Sequence, residues 1–182
     1  MLKRLWASFL GRDLALEKAR DLYSDIVVQA RDPYFYEDLQ VPDTVEGRFD
    51  MITLHMFLVL KRLKDDAAAD HEFAQKLFDT MFKNMDDSLR EMGVGDLVVG
   101  KRVRKLAEDF YGRVGIYEEV FEQPEELAKA MGRNILGDEN AAHGASLARY
   151  SKAQFNILKN EKLERFKSGI ASFAVPQKLI AA

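Results

Sequence analysis

The chain has 182 residues, 47% of them hydrophobic and 31% charged, with a formal net charge of -3 and an isoelectric point of about 5.7. This is enough apolar material for one domain with a substantial core, and too acidic a balance for a protein that coats nucleic acid through a broad positive field. Cysteine is absent, which excludes disulfides, thiolate nucleophiles and cysteine-ligated zinc or iron-sulfur centres and suits a reducing compartment.

Leu2, Leu5, Trp6, Phe9 and Leu10 recur at helical spacing, with Lys3, Arg4 and Arg12 beside them. An amphipathic basic helix over residues 1–12 follows. At about 1.5 Å per residue it is too short to span a bilayer, and the charged Gly11-Arg12-Asp13 that ends it is unlike a secretory signal. Leu2, Lys3, Arg4, Leu5, Trp6 and Phe9 could contact a membrane surface, or the helix could dock on the fold; amphipathicity alone does not choose. Ala19, Leu22, Tyr23, Ile26, Val27 and Ala30 then mark a surface helix with one buried stripe.

Pro33 and Pro42 push their preceding residues out of the helical region, so this helix closes near Arg31 and a stiff extended loop is expected. Tyr34, Phe35 and Tyr36 are consecutive in that loop. An extended chain sends neighbours to opposite sides, so at least one ring should face outward unless the loop folds down and buries all three. Asp43, with Glu46 three residues on, reads as a capping box for the next helix. That helix, running to residue 64, is apolar almost all round through MITLHMFLVL and must be buried. His55 sits inside this run, where an imidazole needs a hydrogen-bonding neighbour.

After a polar joint at Lys64-Asp65-Asp66, Phe73, Leu77, Phe78, Met81, Phe82, Met85, Leu89 and Met92 form a soft Phe/Met stripe. Gly93 suits a left-handed helix end and Asp96 a new cap. The helix from Leu97 to about Tyr111 buries Val99, Val103, Leu106 and Phe110 and shows Lys101, Arg102, Arg104 and Lys105, the densest basic cluster in the chain. It reads as a solvated face or a contact for RNA, acidic lipid or acidic protein. Gly112 and Gly115 should loosen the junction to a short helix, Pro124 should open another that stops at Gly137, and a last helix should run from about 140 to 167 before a frayed tail over 168–182. No segment alternates like a strand. The expected architecture is all-α, a single-domain bundle of about six to eight helices, with residues 13–167 as the domain proper.

Catalytic chemistry finds little support. His55, His71 and His143 lack zinc-ligand spacing, Glu139 and His143 do not make a Glu-x-x-His pair, and no nucleophile elbow occurs. No metal site is expected. Asp86 and Arg90, four apart, should pair on one helix face.

The runs ARDPYFYEDLQVPDTVEGRFDMITLHMFLVLKRL and MFKNMDDSLREMGVGDLVVGKRVRKLAEDFYGR closely resemble the ubiquinol-cytochrome c chaperone family over most of residues 20–135. The resemblance implies an all-helical, non-enzymatic factor for assembly of respiratory complex III, with cytochrome b as client and the ribosome or a small partner subunit as further contacts. The first residues do not look like a transit peptide, which resembles bacterial members and implies a cytoplasmic protein, peripheral at the inner membrane, with no DNA partner and no cofactor. On that reading Tyr34, Phe35 and Tyr36 supply apolar contact, Asp43, Arg48 and Asp50 fix the loop, and Lys101, Arg102, Arg104 and Lys105 face ribosome, lipid or client. The competing expectation is a small-ligand binder in which His55 or an aromatic pocket takes haem or a quinone.

Overall fold

The computed structural model describes residues 2–64 and 71–180, with side chains of the first helix described from residue 14 onward. Among the described residues there is no strand. The helices are α1 (Leu2–Ala30), α2 (Pro33–Glu37), α3 (Val45–Lys64), α4 (His71–Glu91), α5 (Asp96–Val120), α6 (Pro124–Met131), α7 (Gly144–Lys159), α8 (Leu163–Lys167) and α9 (Pro176–Ile180), with a π-helical turn at Gly132–Leu136 after α6.

The all-round apolar sequence of α3 makes it the axis of the fold. Every side chain from Phe49 to Val59 is buried. α1 covers one side through Leu22, Tyr23 and Ile26, α7 another through Leu147, Tyr150 and Leu158, and α5 closes the third with Phe110 and Tyr117. Each large side chain withdrawn from water in this way contributes about 1.5–3 kcal/mol. α4 lies outside α3, packed on α1 and α5, while α6 crosses α7. Gly144 permits that crossing, because a Cβ there would sit 2.5 Å from the Ala128 carbonyl oxygen.

Several sequence expectations hold at their stop signals. α1 ends at Ala30, Gly93 and Gly137 take positive φ, and Pro124 opens α6. Others need correction. The segment after Arg31 is the short helix α2, capped by the Asp32 side chain accepting from the Tyr34 N–H at 3.0 Å. A proline at the first helical position is compatible with that start. α5 does not break at Gly112 and Gly115 but continues to Val120, held by its packing on α3, α4 and α6. The last helix divides at 160–162 into α7 and α8. The expected frayed tail is laid back over the bundle: the Ala174 N–H donates to Gln154 Oε1 at 2.9 Å, the Gln154 amide donates to the Ser172 carbonyl at 2.8 Å, and Pro176 is buried.

The backbone of α1 is continuous from Leu2 through the expected joint at residues 11–13. The membrane contact expected of Leu2, Lys3, Arg4, Leu5, Trp6 and Phe9 concerns side chains outside the described residues, and of the expected polar joint at Lys64-Asp65-Asp66 only Lys64 lies within them.

Candidate functional site

The residues singled out between 30 and 50 gather where α1 hands over to α2 and α3. Phe35 is wholly buried, its ring 5.0 Å from that of Tyr150 and 5.6 Å from that of His55. It is therefore a core residue and cannot contribute the contact surface expected of it. The one-turn helix brings Tyr34 and Tyr36 down beside it, each half-buried against the core. The Tyr36 hydroxyl donates to the Ala30 carbonyl at 2.8 Å, tying α2 to the end of α1.

Asp43 is not the cap of α3. Thr44 takes that role, its Oγ1 accepting from the Gly47 N–H at 3.1 Å. Glu46 then falls one position short of a capping box. Asp43 instead accepts from Arg48 Nε at 2.6 Å on the exposed surface, and this hydrogen bond holds its carboxyl below the usual carboxylate range. Gly47 makes the turn possible, since a Cβ at this position would lie 2.0 Å from the Pro42 carbonyl oxygen. Arg31, Pro33, Tyr36, Glu37, Asp43 and Arg48 line a surface depression of about 560 Å³. It presents two guanidinium groups, two carboxylates and an aromatic edge.

Asp50 points the other way, into the protein. It meets Arg113 of α5 at 2.8 Å, with the guanidinium also over the Phe49 ring at 5.8 Å. Burial pushes its carboxyl up to about 7; Arg113 opposes the shift and Asp109 and Glu46 add to it. Asp50 thus anchors α5 to α3 and is not a surface residue.

His55 is a core histidine with both nitrogens engaged: Nδ1 lies 2.7 Å from the Met51 carbonyl and Nε2 2.8 Å from the Tyr150 hydroxyl. The consistent tautomer donates from Nδ1 and accepts the Tyr150 proton at Nε2, and burial lowers its pKa to about 4. Gln29 Nε2 donates to the Tyr150 oxygen at 3.0 Å and lies at the same distance from the Ala174 carbonyl. Phe173 closes the far side of the ring, 5.7 Å away. A nitrogen occupied in this way is not poised to ligate iron, so the geometry gives no support to the haem reading. Tyr150 and Gln29 were missed from sequence because they stand 95 and 26 residues from His55.

Lys101, Arg102, Arg104 and Lys105 are all exposed on α5. Lys105 pairs with Asp109 at 2.8 Å. Among the described residues no carboxylate pairs with the other three. The expected Asp86–Arg90 pair is present at 2.5 Å, and Arg90 reaches on to Asp96. Among the described residues no group of acids and histidines could hold a metal ion, and no helix is long and apolar enough to cross a membrane.

The described residues thus form a helical scaffold with an interior hydrogen-bond network and charged outer faces. A family model described as ubiquinol-cytochrome C chaperone matches residues 37–173, and the chain belongs to that family, one of chaperones and not of enzymes. It is 36% identical to the protein in the crystal structure of the Cbp3 homolog from Brucella abortus, with a TM-score of 0.81 over 98% of this chain and 99% of that one. It is also similar to Protein CBP3, mitochondrial, of Saccharomyces cerevisiae, 28% identical over 85% of this chain and 48% of the yeast protein. The ubiquinol-cytochrome-c reductase complex assembly factor 1 of Xenopus laevis is 26% identical over 58% of this chain and 53% of that protein. The chain thus spans about half the length of the curated relatives it matches.

Proposed function

We propose that this protein is a non-enzymatic assembly factor for ubiquinol-cytochrome c reductase, holding cytochrome b or the machinery that makes it at the cytoplasmic face of the inner membrane. The family match over residues 37–173 carries this reading. The name of the Xenopus relative agrees with it, and so does a fold in which the buried His55 and Tyr150 are spent on hydrogen bonds to their own neighbours.

The contact surface in this reading is the α2–α3 corner, where Tyr34 and Tyr36 offer half-buried rings beside the exposed Asp43–Arg48 pair, together with Lys101, Arg102, Arg104 and Lys105 on α5. Phe35 and Asp50 act from within, fixing that corner and the position of α5. Ribosome, client and a small partner subunit are the protein and RNA partners in this scheme.

Deleting the gene should lower assembled complex III and cytochrome b several-fold, and a tagged chain should capture cytochrome b from solubilised membranes. Unchanged complex III in the deletion strain would overturn the proposal.

A further inference from the structure

The α4–α5 hairpin turns at residues 92–95. Leu89 and Val99 are buried there but lie outside the contiguous core. Beyond them, three aliphatic side chains face solvent: Met92 is 55% exposed, Leu97 91% and Val98 46%. Leu97 is the most exposed large hydrophobic residue described, at the first turn of a helix where a polar residue would cost nothing.

The cations are placed in register with these aliphatics. Lys101 and Arg104 follow Leu97 at four and seven residues, and Arg102 and Lys105 follow Val98 at the same spacings, so both sets share one side of α5. At 1.5 Å per residue the cations begin roughly 6 Å behind the aliphatic tip and extend to about 10 Å. Of the cations from residue 90 to 105, Arg90 is paired with Asp86 and Asp96 and Lys105 with Asp109, which leaves Lys101, Arg102 and Arg104 without a carboxylate partner among the described residues, and one further acid in that stretch, Glu91.

We infer that this hairpin turn is a membrane-contact tip for anionic lipid: Met92, Leu97 and Val98 enter the outer hydrocarbon, while Lys101, Arg102 and Arg104 meet the phosphates above it. The spacing from tip to collar matches the roughly 5–10 Å depth over which interfacial segments cross from headgroup to acyl chain. Charge complementarity favours an anionic surface, and the aliphatics favour lipid over RNA, whose recognition draws on aromatic stacking and cations and gives Leu or Met no comparable gain. The inference extends the membrane-surface part of the proposed function, yet its test does not depend on which client is held.

Because the chain lacks cysteine, Leu97→Cys accepts a single polarity-sensitive fluorophore on the full-length protein, with Glu125→Cys on α6 as the control position. With vesicles containing about 30% anionic phospholipid, the probe at 97 should brighten, shift to the blue and be quenched by a nitroxide carried on the lipid chain; the probe at 125 should do none of these. Replacing Lys101, Arg102 and Arg104 together by Gln should weaken vesicle partitioning read at position 97 by on the order of a hundredfold, and about 0.5 M salt should act in the same direction. A probe at 97 that stays water-exposed on anionic vesicles overturns the inference. So does a response to single-stranded RNA without one to vesicles, which would make the face a nucleic-acid contact. Complex III levels in the deletion strain report separately on the assembly role.

Discussion

Asp50 and His55 sit five residues apart on α3 and titrate with opposite consequences for stability. His55 has a folded pKa of about 4 against an ordinary 6.5. Between these values the unfolded chain holds the proton and the folded one does not, so the contribution is complete above about pH 6.5 and is lost as pH falls through the window. Asp50 is raised from 3.8 to about 7, so its contribution is complete below about 3.8 and is lost as pH rises towards 7. Between about pH 4 and 6.5 the two slopes oppose each other. Asp50→Asn leaves His55 unopposed: measured as urea midpoints, the variant should gain on the wild type as pH rises from 4.5 to 7.5, at a slope no greater than about 1.4 kcal/mol per pH unit. A pH-independent difference would refute this. The sequence revealed that His55 needed a partner, because an imidazole in MITLHMFLVL has no water. It could not reveal Tyr150 or Arg113, since hydrogen bonds and ion pairs across 95 and 63 residues leave no local pattern. Asp43 was misplaced for a related reason. Asp and Thr are both good caps, and a hydroxyl one residue on competed with a carboxylate that Arg48 could take.

At the level of the helices, glycine separates two kinds of constraint. Gly47→Ala drives a Cβ into the Pro42 carbonyl at the start of α3. It should cost about 3 kcal/mol or more, read as a lowered melting temperature. Gly112→Ala in α5 meets nothing within 4 Å and should instead stabilise by about 1 kcal/mol, the ordinary helix-propensity gain. Equal effects at the two positions would show that the contacts around them have been misread. Local signals fixed most helix ends: the all-apolar α3, Pro124, Gly93 and Gly137 each say the same thing in sequence and in three dimensions. Gly112 and Gly115 misled because their penalty of about 1 kcal/mol each is small beside the burial of Phe110 and Tyr117 on the other face of the same helix. The split between α7 and α8 rests on docking, which periodicity does not carry, whereas α2 starts on the local pair of an Asp32 cap and Pro33, a signal that competed with the extended reading of an X-Pro step.

Across the whole molecule, hydrogen bonds from α1 and α7 tie the first described segment to the last. Gln29 of α1 reaches both Tyr150 of α7 and the carbonyl of Ala174, while Gln154 holds the same stretch from α7. Ending the chain after Gly169 removes three such bonds along with the cover that Phe173 and Pro176 provide, and should cost at least about 3 kcal/mol in a denaturant titration. A truncated protein as stable as the full chain would show that the closing segment contributes nothing. Because Phe173 and Ala174 close over the His55–Tyr150 pair, lifting that stretch away admits water to an interior imidazole, so loosening it should be felt in the middle of α3 and not only at the surface.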